Sequence, residues 1–209
     1  DLAIQTYAEA IEISKNTDNI VSTTQVIADM GLTLSQIGKL HDAERHYLKA
    51  IKLCQPHNAP IYPIALINYD LGNIYIEWNK NDSAEQYLEK AIHLSQLAGY
   101  KRILLLSYLS LARLRIIQGN LDDAESLIDK AGKLNARSYD QRLDAYFTES
   151  LVSLALDKND IPQAKGRAGT DDSLRFDVDY LCIYRCLLRD QKPPFEYIEM
   201  KLEEIRSAA

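Results

Sequence analysis

The strings AIQTYAEA (3–10), AERHYLKA (43–50), AEQYLEKA (84–91) and AESLIDKA (124–131) each begin and end with a small residue. Their leading alanines are 40, 41 and 40 residues apart, and a further step of 40 reaches Ala164. Such regular spacing is not expected by chance, so the chain is an array of repeats.

Each repeat reads as two helices joined by a tight turn. Twelve positions before each leading alanine lies another small or compact residue: Gly31, Gly72, Ala112 and Val152. Turn-forming residues lie between the two, as at Gly38 and Gly119. Apolar residues recur at helical spacing, as in the series Ile64, Ile67, Leu71 and Ile74. Such a hairpin buries its apolar side only by stacking on its neighbours, which predicts an all-α solenoid.

The helices that this pattern predicts alternate with short turns, and nothing reads as a strand. They span residues 2–16, 20–37, 40–54, 60–78, 81–97, 100–118, 121–134, 138–157, 160–168, 173–190 and 194–207. We expect one solenoid over 1–209. It starts with the second helix of a partial repeat (1–16), continues with full repeats at 20–54, 60–97, 100–134 and 138–168, and ends with a divergent helix pair at 173–207. Because the chain begins inside a repeat, we expect it to be a fragment of a longer protein.

The order of small and bulky residues resembles the tetratricopeptide (TPR) repeat. In the second full repeat the matching residues are Leu71-Gly72, Tyr75, Ala84, Leu88 and Ala91. The period departs from the usual TPR length of about 34 residues. HEAT and armadillo repeats have the longer period, but their helix-interior signature is missing. The resemblance implies a right-handed superhelix of antiparallel helix pairs.

Two later stretches resemble one TPR group, the sensor region of the maltose-regulon activator (MalT-like) family. They are LARLRIIQGNLDDAESLIDKA (111–131) and SLVSLALDKNDIPQA (150–164), and the tail DYLCIYRCLLRDQKPPF (179–195) looks like a recurrent element of that group. The resemblance implies a large bacterial transcription regulator. Such a regulator carries an NTPase switch module, this superhelix and a LuxR-type helix-turn-helix.

Composition excludes several classes of function. With 24 basic and 30 acidic residues the net charge is −6, which disfavours binding of nucleic acid or anionic lipid by this segment. No apolar run approaches the roughly 20 residues of a membrane helix. Three cysteines, an odd and low number, argue against a disulfide framework and fit the cytoplasm.

The sequence predicts no catalytic or metal-binding pattern. Cys182 and Cys186 lie on one helix face, but zinc needs four ligands and no second pair accompanies them. The stretch from Gly31 to Lys39 has the wrong spacing for a phosphate-binding loop. No nucleophile, base and orienting group form a set. We therefore expect no enzymatic activity, no cofactor and no metal.

The TPR resemblance implies that the first helix of each pair lines the concave surface, where ligands bind. By repeat position this surface includes Gln25, Ala28, Gln36, Leu109, Ile117 and Ser153. The predicted binding residues are Tyr69, Asn73, Glu77, Arg113, Tyr146 and Glu149. Such a mixture suits a polar ligand, a sugar or a peptide, although a solvated helix face is an equal alternative.

The predicted function is a ligand- and protein-binding TPR sensor domain of a cytoplasmic MalT-like regulator, relaying effector binding to modules outside this segment. Its expected partners are a protein or peptide and a small polar effector such as an oligosaccharide; self-association stays open. Two alternatives remain: a constitutive TPR scaffold for peptide partners, and an accessory TPR domain of a signalling enzyme.

Overall fold

The computed structural model describes residues 5–7, 9–12, 20–54, 61–135 and 141–158, and all regular structure in these residues is helical. Residues 5–7 and 9–12 are helical. Seven longer helices follow: α1 (Ile20–Gln36), α2 (Leu40–Cys54), α3 (Ile61–Glu77), α4 (Asn81–Ala98), α5 (Lys101–Ile117), α6 (Leu121–Asn135) and α7 (Gln141–Asp157). The predicted helices from 20 to 157 are confirmed, with ends that differ by at most three residues.

The two helices of a repeat are joined by the same turn each time. At its centre one residue has a positive φ: Gly38 at 78°, Asn79 at 55° and Gly119 at 80°. The amide of the next residue donates back to a carbonyl of the last helical turn, as from Lys80 to Tyr75 at 2.9 Å. This is the Schellman ending of a helix, which requires a left-handed residue. The turn therefore fixes the reversal of the chain at a constant place in each repeat.

Within a repeat, the small residue of the first helix lets the second helix approach closely. A Cβ atom on Gly72 would lie 2.6 Å from Cγ of Leu88, which is far closer than van der Waals contact. Leu88 and the alanines that begin and end its string, Ala84 and Ala91, are fully buried. The periodic small residues are thus explained by packing, as the repeat alignment predicts.

Successive helices pack as pairs, α1 on α2, α3 on α4 and α5 on α6, and the first helices α1, α3 and α5 also touch in order. The junctions between repeats differ. The helix α5 packs closely on α4, and only Gly99 and Tyr100 separate them, whereas α3 contacts α2 over a shorter stretch. The repeats are therefore not joined with equal tightness.

The chain divides into two compact units, Asp1–Phe147 and Thr148–Ala209. The first holds α1 to α6 and the start of α7. In the second, the described residues 148–158 include the buried side chains Val152, Leu154, Ala155 and Leu156. Outside the described residues lie His57, Cys182, Cys186, the predicted helices at 160–168, 173–190 and 194–207, and the divergent pair at 173–207. A single solenoid over 1–209 stays a prediction.

Candidate functional site

Polar side chains of successive first helices lie together on one side of the first unit. We call this set the first-helix face: Tyr69, Asn73 and Glu77 on α3, Ser110 and Arg113 on α5, and Tyr146 at the start of α7. Five of these six are residues that the sequence predicts for binding. Ser110 was not predicted.

Asn73 connects α3 to α5. Its Nδ2 donates to the Tyr69 carbonyl oxygen of its own helix at 3.0 Å, which fixes the orientation of the amide. Its Oδ1 then accepts a hydrogen bond from Oγ of Ser110 at 2.8 Å. Because the amide nitrogen is held by α3, the oxygen stays directed at the next repeat. The link joins equivalent helices of two repeats.

One turn further along α3, Glu77 pairs with Arg113. The Arg113 Nη2 atom lies 2.6 Å from Oε1 of Glu77, and both side chains are about half exposed, at 52% and 49%. An ion pair this exposed contributes on the order of 0–1 kcal/mol to stability. A ligand carboxylate or hydroxyl can therefore replace Glu77 as the partner of the guanidinium at little cost.

The Tyr69 hydroxyl lies beside Asn73 and Ser110 and within electrostatic range of Asp70 and Tyr146. Burial, with smaller effects of Asp70 and Tyr146, raises the pKa of Tyr69 to about 12. The phenol is thus neutral at physiological pH and can both donate and accept a hydrogen bond. Tyr146 exposes about half of its surface, so it offers an aromatic face on the same side.

Asp70, next to Tyr69 on α3, also interacts with this face through its charge, and it is not among the predicted binding residues. Its carboxyl is largely buried, and burial raises its pKa from 3.8 to about 7, although the neighbouring Tyr47 hydroxyl acts to lower it. That hydroxyl, on a fully buried side chain, approaches the carboxyl without completing a hydrogen bond of regular geometry. The sequence gives one sign that Asp70 is unusual: it is an acidic residue at the centre of the mostly apolar stretch IYPIALINYDLGNIYIE (61–77).

The remaining residues expected on the concave surface fall into different environments. Ala28 and Leu109 are buried, so they pack between helices and offer no surface to a ligand. Gln25 donates from Nε2 to Oδ1 of Asp29 at 2.9 Å. Ile117 exposes half of its surface. The other three residues are polar and are exposed or partly exposed: Gln36 on α1, and Glu149 and Ser153 on α7 in the second unit.

The described residues contain no group of three histidine, cysteine or acidic side chains that could hold a metal ion. Cys54 is buried, with Sγ 3.3 Å from Oγ1 of Thr24. His41 stacks on Trp78 with ring centroids 4.5 Å apart. Burial is the main cause that lowers the pKa of His46. None of the helices in the described ranges combines the length and apolarity needed to cross a membrane.

Comparison with known families identifies the chain. The profile of the MalT-like TPR region matches residues 1–170, which is most of the chain. The chain belongs to this family. No curated protein matches it. A solved tetratricopeptide repeat protein from Parabacteroides merdae is similar, with 14% identity, a TM-score of 0.53, and coverage of 98% of this chain and 88% of the other.

At that identity the P. merdae structure supports the fold alone, which is a TPR solenoid. TPR repeats are non-catalytic and mediate contacts between proteins. This MalT-like TPR region is therefore a repeat domain that binds partners, and its first-helix face offers hydrogen-bonding groups, one ion pair and aromatic surface.

Proposed function

We propose that this MalT-like TPR region is the sensor of a cytoplasmic LuxR-type transcription regulator, and that its effector binds the first-helix face. The effector is a small polar molecule, such as an oligosaccharide, or a peptide. The regulator also has an NTPase switch and a DNA-binding module outside this segment. The observation that carries the proposal is the polar link between repeats, Asn73 to Ser110 and Glu77 to Arg113.

This arrangement suits sensing because the groups that would bind the ligand belong to two repeats. A ligand that contacts Tyr69 on α3 and Arg113 on α5 prefers one spacing of these helices. A solenoid bends through small changes at each junction, so such a preference shifts the curvature of the stack. Coupling of this kind typically amounts to about 1–3 kcal/mol, which is enough to bias an attached switch.

The binding part is tested by a thermal-shift screen of oligosaccharides and short polar peptides, followed by calorimetry on the compounds found. We expect Tyr69→Phe and Arg113→Ala each to weaken binding of the effector about tenfold or more, because each removes a hydrogen bond that the ligand uses. Lys130→Ala, at an exposed position of α6, is the control and should bind normally. Equal affinity for all three variants would refute the site.

The regulatory part is tested separately. We expect a phosphate-binding-loop module before this segment and a helix-turn-helix module after it in the parent gene. A pair of fluorophores at the exposed positions Val21 and Ile117 should change its transfer efficiency when the effector binds. A ligand that binds without such a change would favour a constitutive scaffold over a sensor.

A further inference from the structure

A second surface lies away from the first-helix face, between the second helices of the first two full repeats. It is a groove of about 930 Å³ with α2 and α4 as its walls and α3 as its floor. The wall of α2 presents Leu48 and Ile51, and the wall of α4 presents Tyr87 and Leu94. Within the described part of the chain, α2 and α4 do not pack against each other.

The floor of the groove carries a short polar side chain. The floor residue Asn68 turns its amide back onto its own helix, with Nδ2 donating to the Ile64 carbonyl at 2.7 Å. The equivalent residue of the next repeat, 40 positions later, is Tyr108. Its hydroxyl accepts a hydrogen bond from Gln96 of α4 at 2.8 Å, so this larger side chain reaches the neighbouring second helix. Asn68 stands in its place at the floor of the α2–α4 groove and does not reach either wall by a hydrogen bond of this kind.

The lining restricts what can bind there. Its surface is mainly apolar, and the one buried amide at the floor is already engaged with Ile64. The walls are helices, whose backbone groups are already paired. An extended peptide would leave its own backbone groups without partners in such a groove, whereas a helix satisfies them internally. The geometry therefore suits an amphipathic helix laid along the groove.

The charges at the rim specify the flanks of that helix. Each wall carries an exposed lysine, Lys52 on α2 and Lys90 on α4, and Glu89 is the acidic residue among the groove's lining residues. The Lys90 ammonium lies 5.3 Å above the Tyr87 ring, which keeps it at the rim. This local excess of positive charge contrasts with the net charge of −6 for the chain. It complements acidic residues on both sides of an apolar stripe.

We infer that the α2–α4 groove docks an acidic amphipathic helix of a partner protein, with its apolar stripe on Leu48, Ile51 and Leu94 and its flanking carboxylates on Lys52 and Lys90. This site does not depend on the first-helix face. The chain thus carries two recognition surfaces, one polar and one apolar with a basic rim.

The test is a displayed library of 18-residue helices with leucine fixed along one stripe and the flanking positions drawn from Glu, Lys and Gln. Selection on the whole chain should enrich Glu at the flanks, and the enriched peptide should bind at least tenfold more tightly than its Lys-flanked twin by fluorescence anisotropy. Enrichment of Lys or Gln, or equal binding of the twins, would overturn the inference.

Variants of the chain locate the binding. We expect Asn68→Tyr, which fills the floor as in the next repeat, and the double variant Lys52→Glu/Lys90→Glu each to weaken the selected peptide at least tenfold. Lys130→Glu, at the position equivalent to Lys90, is the matched control and should bind normally. If Asn68→Tyr loses its helical circular dichroism, the test depends on the double variant, whose two substitutions are at exposed positions. Unchanged affinity of the double variant for the peptide would refute the site. The inference would also fail if the wild-type chain alone forms a dimer and the double variant is a monomer, because the groove would then bind a second copy of the chain.

Discussion

Replacing Asp70 by asparagine should stabilise the domain at neutral and higher pH. The carboxyl has a pKa of about 7 in the folded chain and an ordinary value of 3.8. That difference corresponds to a penalty of at most about 4 kcal/mol when the group is ionised in the fold. The amide has nearly the same shape and no charge, so Asp70→Asn removes the penalty. The amide also leaves an acceptor oxygen near the Tyr47 hydroxyl.

The sign of the pH dependence follows from the raised pKa. Below about pH 4 the carboxyl is protonated in both states and costs nothing. Between about pH 4 and 7 the folded chain binds a proton that the unfolded chain releases, so the free energy of unfolding falls as the pH rises. Above pH 7 the penalty is constant. The advantage of Asp70→Asn should therefore grow by about 2–3 kcal/mol from pH 5 to pH 8.

Urea unfolding at both pH values, followed by circular dichroism and by the fluorescence of Trp78, the single tryptophan, measures this difference. Subtracting the wild-type curve at each pH removes the titration of the other carboxylates. Asp82→Asn, at an exposed position in the first turn of α4, serves as the control because it removes a carboxylate from the surface. If the difference for Asp70→Asn does not change with pH, the Asp70 carboxyl is not held near neutrality by burial.

Substitutions at three further positions test the helix packing, the turn and an ion pair. Gly72→Ala should lower the free energy of unfolding by about 1–2 kcal/mol in urea, because the added methyl overlaps Leu88; an unchanged midpoint would mean that Leu88 moves aside freely. At the turn, Asn79→Ala should cost about 1 kcal/mol and Asn79→Gly should cost nothing, since φ is 55°; equal melting temperatures would contradict this. Arg115→Ala should cost about 1 kcal/mol because it removes the partly buried pair with Glu85, and 0.5 M NaCl should narrow the difference; a salt-independent loss would indicate packing of the arginine stem instead.

Much of this fold can be predicted from short stretches of the sequence. The small residues at Gly72, Ala84 and Ala91 set the register of a helix pair, and the residue at position 79 sets the turn, so helix ends follow from one repeat alone. The candidate site is harder to predict from the sequence. Tyr69 and Asn73 were predicted from their repeat positions, but their link to α5 depends on the spacing between repeats, which no local pattern encodes.

Two of the features that the sequence did not predict, Asp70 and the α2–α4 groove, depend on contacts between helices. The burial of Asp70 depends on tertiary packing, which brings Tyr47 of α2 beside it, so the sequence shows only its unusual position in an apolar stretch. At the floor of the α2–α4 groove the aligned repeats differ, with Asn68 in one and Tyr108 in the next. The repeats are recognised by the residues that they share, so a position at which they differ does not stand out. A position-by-position comparison of the repeats shows it.

The unequal junctions also divide the domain into blocks that differ in resistance to unfolding. In a linear array each repeat is supported by its neighbours, so a sparse contact is where cooperativity is weakest. Because α3 contacts α2 only over a short stretch, we expect cooperativity to be weakest between these two helices. Amide protons of α1 and α2 should then exchange with solvent as one group, and sooner than those of α3 to α5, which are held together by the close packing of α5 on α4.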